Sequence, residues 1–136
     1  MKTVKKDFSI EELEERMLKC EQVNIPVEHN FSDGIYSRQI KAPKGSIILG
    51  HKHKKPCLNI LAQGKMLLKA DEKDNGKVIE APYTFKTDGG VRKIAYIIED
   101  VVFINIFKTD KTDLKELEEE LIEKSKAYLG GQKCLG

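Results

Sequence analysis

Neither sign of charge is in large excess in this 136-residue chain: 24 Lys and Arg face 22 Asp and Glu, a formal net charge of +2. That balance excludes a strongly basic nucleic-acid binder and an acidic disordered tail. Long apolar runs are missing as well. None approaches the ~20 residues of a membrane-spanning helix, so no membrane partner is expected. Met1-Lys2-Thr3-Val4-Lys5-Lys6-Asp7 has no apolar run behind its lysines. No signal peptide is therefore expected, and the default location is cytoplasmic. Cysteine is scarce: Cys20, Cys57 and Cys134 form an odd set with no spacing pattern, which argues against a disulfide framework. The glycines never fall in GxxxxGK[ST] or GxGxxG spacing, and no serine stands in a nucleophile elbow. What is left is 40% hydrophobic and 34% charged, the composition of one soluble domain, residues 1–136, long enough to bury a core.

Helical signals stand at the two ends. Ser9 with Glu12 makes a capping box, and Ile10, Leu13, Met17 and Cys20 recur on one face, predicting a helix over about 9–22 with Cys20 buried. Thr112 as N-cap, with Leu114, Leu117, Leu121, Ile122, Tyr128 and Leu129 as a stripe and Gly130-Gly131 as a stop, predicts a second helix over about 112–129. That stripe suits docking on the domain's own sheet and a second subunit equally well. Between the helices, about 27–108, short apolar segments alternate with turns. Pro43-Lys44-Gly45, Lys54-Lys55-Pro56 and Asp88-Gly89-Gly90 break the chain. Asp74-Asn75-Gly76 predicts a tight hairpin with two positive φ angles, pairing Lys65–Ala70 with Lys77–Ala81. Arg92–Ile98 and Val101–Phe107 read as two strands split by Glu99-Asp100. This spacing predicts an antiparallel barrel or sandwich rather than a parallel sheet with crossover helices.

One constellation could carry chemistry. His51 and His53 sit two apart, so on a strand they share a face while Lys52 takes the other. Cys57 follows the Pro56 break, where a neighbouring strand could bring it alongside. Two imidazoles and a thiolate suit Zn²⁺, with Fe, Mn, Ni or Cu, or no metal at all, as alternatives. The plainer reading is a solvated His-Lys-His-Lys-Lys turn and a small buried Cys57. Arg38 and Arg92 stand among apolar neighbours; inside a barrel each would bind a carboxylate or phosphate, and at the rim neither would.

Gly45-(x)5-His51-x-His53-(x)3-Cys57-(x)6-Gly64 resembles the first cupin motif, G-(x)5-H-x-H-(x)3,4-E-(x)6-G, with Cys57 in place of the usual Glu. The second cupin motif is matched only by Gly76-(x)5-Pro82; Thr84 and Thr87 stand where its next glycine and its histidine belong. Nearly the whole chain is also similar to small cupin-like proteins of tailed phages and prophages. The residues that carry this include Val27-Glu28-His29-Asn30-Phe31, Leu58-Asn59-Ile60-Leu61-Ala62-Gln63-Gly64 and Ala81-Pro82-Tyr83-Thr84-Phe85. That resemblance implies a three-histidine site at positions 53, 57 and 107, of which this chain keeps His53 and carries Cys57 and Phe107. It brings no assigned reaction.

The expectation is thus a mainly β protein: a single cupin-like antiparallel barrel (a double-stranded β-helix) between an N-terminal and a C-terminal helix. As cupin-like domains often do, it would pair as a homodimer. The expected function is a non-catalytic binding module for a divalent metal or small ligand, with His51, His53 and Cys57 as metal ligands and Arg38 and Arg92 as anion partners. The rivals are a metal-dependent enzyme acting on a small molecule and a phage structural, assembly or host-takeover protein.

Overall fold

A computed structural model describes residues 9–70 and 74–123 of the chain. The elements run α1 (Ile10–Leu18), β1 (Val27–Ser32), β2 (Ile35–Ala42), β3 (Ile47–Leu49), β4 (Lys52–His53), β5 (Cys57–Lys69), β6 (Lys77–Glu80), β7 (Tyr83–Thr87), β8 (Ile94–Lys108), α2 (Leu114–Leu121) and β9 (Ile122–Glu123). All the pairings are antiparallel. The mainly β reading of 27–108 therefore holds, with different strand boundaries.

Two long strands organise the sheets. The segments expected as Leu58–Leu61 and Lys65–Ala70 are one strand, β5, and the two expected across Glu99-Asp100 are one strand, β8. Each bends at mid-length. The first half of β5 pairs with β7 and with the second half of β8, which also carries β2. The second half of β5 pairs with β6 and with the first half of β8, which also carries β3. The register between them shifts around Gln63 and Lys65, at the join between the two halves of the sheet. Gly64 stands at this corner with φ +90°, and a Cβ there would overlap the Asp100 carbonyl. Only glycine permits that approach. Glu99-Asp100 thus marks a bend inside a strand rather than a gap between two.

Inward positions alternate as a pleated strand requires. Tyr36, Ile40 and Ala42 on β2, Cys57 and Leu61 on β5, and Val101, Phe103 and Phe107 on β8 are buried. Burying a side chain the size of Leu61 or Ile97 stabilises the fold by about 1.5–3 kcal/mol. The β5–β6 hairpin pairs Lys65–Leu68 with Glu80–Lys77 as expected, but its turn differs. Gly76 has positive φ and Asn75 does not, so no two-residue Asn-Gly turn forms. The Asp74 carboxylate closes the loop instead, accepting from the Ala70 and Gly76 amides at 2.8 and 3.0 Å. Those two bonds hold its pKa below the ordinary value.

Both helices are shorter than the expected 9–22 and 112–129. Ser9 caps α1 by accepting from the Glu12 amide at 3.2 Å. The helix then tightens: the Lys19 and Cys20 amides bond back only three residues, and the Gln22 side chain takes the Met17 and Cys20 carbonyls. Cys20 lies past the end and is exposed, against the burial expected for it. Cys134 lies outside the described residues. The buried residue of α1 is a carboxylate, Glu14, whose Oε2 accepts from Arg92 Nη2 at 2.6 Å. Asp113, not Thr112, caps α2, accepting from the Lys115 and Glu116 amides. Ile122 is already extended and pairs with His53, which ends that helix at Leu121. Tyr128 and Leu129 lie outside the described residues. Leu117 and Leu121 pack on Tyr36, Cys57 and Phe107, so α2 docks on its own barrel.

The Glu14–Arg92 pair, with side chains 5% and 9% exposed, generates a stability prediction. Removing one partner strands a buried charge, and Glu14→Ala should lower the unfolding free energy by about 3 kcal/mol in urea titrations. Replacing both at once, Glu14→Leu with Arg92→Met, should recover most of that loss.

Candidate functional site

The inner face of the larger sheet carries a polar band. Arg38 pairs in register with Asn105, Asn105 with Asn59, and Asn59 with Phe85. The neighbouring inward positions are Tyr36, Phe107, Cys57 and Thr87 on one side, and Ile40, Phe103, Leu61 and Tyr83 on the other. The band opens on a cavity of about 450 Å³, the size of a small-molecule site. Ile48, Met66, Ile97 and Val101 give it an apolar wall, while His29, Arg38, His51, His53 and Lys93 reach in with nitrogen; Leu117, Leu121 and Ile122 flank its α2 side.

Asn59 is fully buried and organises the floor. Its Nδ2 donates to Thr87 Oγ1 at 2.7 Å and to the Phe85 carbonyl at 3.2 Å. Its Oδ1 accepts from Lys93 Nζ at 3.0 Å and from Asn105 Nδ2. Lys93 Nζ also lies 3.4 Å from Thr87 Oγ1 and 3.8 Å from Cys57 Sγ. Burial pulls the Lys93 pKa down, opposed by Cys57; burial pushes the Cys57 thiol up, opposed by Lys93. At the opposite wall, His29 Nδ1 and the Tyr36 hydroxyl lie 2.7 Å apart. Arg38 stands between these groups. Among the described residues, no carboxylate and no hydrogen-bond acceptor pairs with its guanidinium, and burial lowers its pKa.

Neither a protein-family model nor a curated protein sequence matches the chain. Solved structures do. A cupin superfamily protein from Desulfitobacterium hafniense superposes with a TM-score of 0.55 at 11% identity, over 68% of this chain and 84% of that one. The KdgF protein of a Halomonas species reaches 0.57 at 15% identity, over 69% and 88%. An acetylacetone dioxygenase from Acinetobacter johnsonii reaches 0.52 at 22% identity, over 62% of this chain and 59% of its own. The fold is that of the cupins.

The histidines of the cupin-like motif raise the question of whether a metal suits the residues of this barrel. His51 and His53 both line the cavity, and Cys57 Sγ lies 3.8 Å from His53 Nδ1. Yet among the described residues no three His, Cys, Asp or Glu side chains are grouped so as to hold a metal ion. Phe107, at a position where the phage resemblance implies histidine, sets its ring edge-on to His53 with centroids 5.1 Å apart. The Lys93 ammonium stands beside Cys57, and a divalent ion ligated there would meet that positive charge at close range. A thiol must also lose its proton to ligate, and burial favours the protonated form of Cys57. The donor set does not fit a metal ion.

The structure separates the two candidate arginines. Arg38 faces the cavity, whereas Arg92 is not in its lining and is taken up by Glu14 and the Gly50 carbonyl. Lys93, Asn59 and Asn105 are functional candidates that sequence reasoning missed. A signal was present for the two asparagines: each is a lone polar residue in an apolar run, Leu58-Asn59-Ile60 and Ile104-Asn105-Ile106. Lys93 gave none, since it sits in a charged pair just ahead of β8.

Burial, with the positive charges of Arg38 and Arg92, lowers the His51 pKa to about 4. Burial, with Lys93, His51 and Arg38, lowers that of His53 to about 3. Both rings are neutral in the fold and return to the ordinary value near 6.5 on unfolding. Below that pH the unfolded chain takes up protons that the folded one refuses, so stability should fall as pH drops from 6.5 toward 4. The slope should reach up to about 1.4 kcal/mol per pH unit for each ring. Urea unfolding between pH 7 and 5 measures it, and His53→Gln should flatten the slope.

Proposed function

We propose that the cavity is a metal-independent binding site for a small carboxylate or similar oxyanion, with Arg38 as its anion partner. The observation that carries this reading is a half-buried guanidinium, facing a ligand-sized space, with no anionic partner among the described residues. A planar donor fork matches a carboxylate bidentately. The Lys93 ammonium adds a second positive charge in the same space. Glu118 of α2 also lines the cavity, and its charge acts on His51. The apolar wall supplies affinity for a ligand body, in the usual division of labour between shape and a few polar groups.

The reading is a binding module. A dioxygenase shares the fold at 22% identity, but reactions belong to sites rather than to folds, and the donor set here does not fit a metal.

Isothermal titration and ligand-observed NMR with lactate, succinate and inorganic phosphate test the proposal. At least one anion should bind, and Arg38→Gln should weaken it about tenfold or more, the loss of a charge-assisted hydrogen bond. Equal binding by the variant would overturn the assignment. Uptake of one Zn²⁺ that disappears in both His53→Ala and Cys57→Ser would replace it with a metal site.

A further inference from the structure

We propose that Lys93 captures an oxo acid covalently: with the ligand's carboxylate held by Arg38, the ε-amine condenses with its carbonyl to form an imine. This rests on the carboxylate reading of the cavity and names the ligand class within it.

The geometry around Nζ is unlike that of the surface lysines. Lys52, Lys55, Lys65, Lys86 and Lys111 each pair with a carboxylate. Lys93 has no such partner among the described residues; its neighbours are neutral acceptors. The Lys93 carbonyl accepts from the Gly50 amide at 3.0 Å, fixing the backbone. Nζ points to Asn59 Oδ1 at 3.0 Å and Thr87 Oγ1 at 3.4 Å. Those acceptors are themselves held, because Asn59 Nδ2 donates to Thr87 Oγ1 and to the Phe85 carbonyl. The ammonium is in equilibrium with the neutral amine, the form that attacks, which has two N–H donors and one lone pair. Two fixed acceptors can take both N–H groups, leaving the lone pair for an electrophile in the cavity. The Phe103 ring, its centroid 6.0 Å from Nζ, gives this side of the site an apolar neighbour, and an apolar setting activates a lysine nucleophile.

Arg38 lies on the same inner face. It is in register with Asn105, which is in register with Asn59, the residue that holds Nζ. Two strand spacings of about 4.8 Å separate the Arg38 and Asn59 backbones. Both long side chains line the one cavity, so a short molecule can meet the guanidinium with its carboxylate and the amine with its carbonyl.

The step balances without any oxidant or reductant. The Nζ lone pair adds to the carbonyl carbon, and the C–O π pair moves onto oxygen. One amine proton transfers to that oxygen, giving a carbinolamine. The oxygen then leaves as water with the second amine proton, and the nitrogen lone pair closes the C=N bond. Amine plus carbonyl gives imine plus water, reversibly.

Trapping tests it. The full chain is incubated with pyruvate and cyanoborohydride, which reduces the imine to a stable secondary amine, and the adduct is located by peptide mass mapping. Lys93 should be labelled about tenfold faster than any surface lysine, the advantage of a held reactant. The label at this position should vanish in Lys93→Arg and fall about tenfold in Arg38→Gln. Acetone, a carbonyl without a carboxylate, should show no preference for Lys93, and lactate, a carboxylate without a carbonyl, should protect it. The wild-type map stands without any variant, should Lys93→Arg fail to fold. Label spread evenly over the lysines overturns the imine. If pyruvate and lactate nevertheless bind in an Arg38-dependent way, the carboxylate reading survives that failure; if neither they nor succinate nor phosphate binds, both fall.

Discussion

One close approach governs this barrel: the Gly64 backbone against the Asp100 carbonyl. β5 and β8 each carry different neighbours on their two halves, and a side chain at position 64 would hold them apart at the join. The register shifts gather at this corner because a pleated ladder cannot turn without losing a pairing. The Lys44 amide donates to Asp100 Oδ1 at 2.8 Å, tying the loop before β3 to the same place. From the corner outward, every inward position is set by strand parity. The polar band and the cavity follow from where the bend falls.

The cavity's electrostatics follow from what the fold places around it. Arg38 and Lys93 enter a largely apolar space; burial lowers the His51 and His53 pKa values, with Arg38 and Arg92 adding to it at His51 and Lys93, His51 and Arg38 at His53. Lys93 is tolerated because Asn59, Thr87 and Cys57 surround it with acceptors. A buried polar network of this kind is stable only while each member has its partners. Asn59 links most of them, through Phe85, Thr87, Lys93 and Asn105. Arg38 is the exception, and that exception is the reason to look for a ligand.

The mainly β domain was legible from turn residues and alternation, and the two motif histidines fall on residues that line the cavity. Other features went astray for physical reasons. Val101–Phe107 and Arg92–Ile98 looked like two strands because polar Glu99-Asp100 interrupts the apolar pattern; a bend exposes residues just as a loop does. Cys20 continued an apolar period, but the helix tightened and ended before reaching it. The C-terminal stripe ran on past Leu121, yet Ile122 leaves the helix to pair with His53.

The strand parity, the glycine at the corner, the N-cap of α1 and the placing of His51 with His53 were legible in the chain alone. These are local properties, carried by φ angles, side-chain spacing and hydrogen bonds within a few residues. Only the tertiary structure decided which charges meet. Arg92 and Lys93 are adjacent in the chain, and nothing local distinguishes their roles. In the segment just ahead of β8 the two side chains part, Arg92 reaching Glu14, 78 residues away, and Lys93 reaching Asn59, 34 residues away. Ion pairs and cavities join residues that neither spacing nor propensity relates, so they exist only once the sheets have closed.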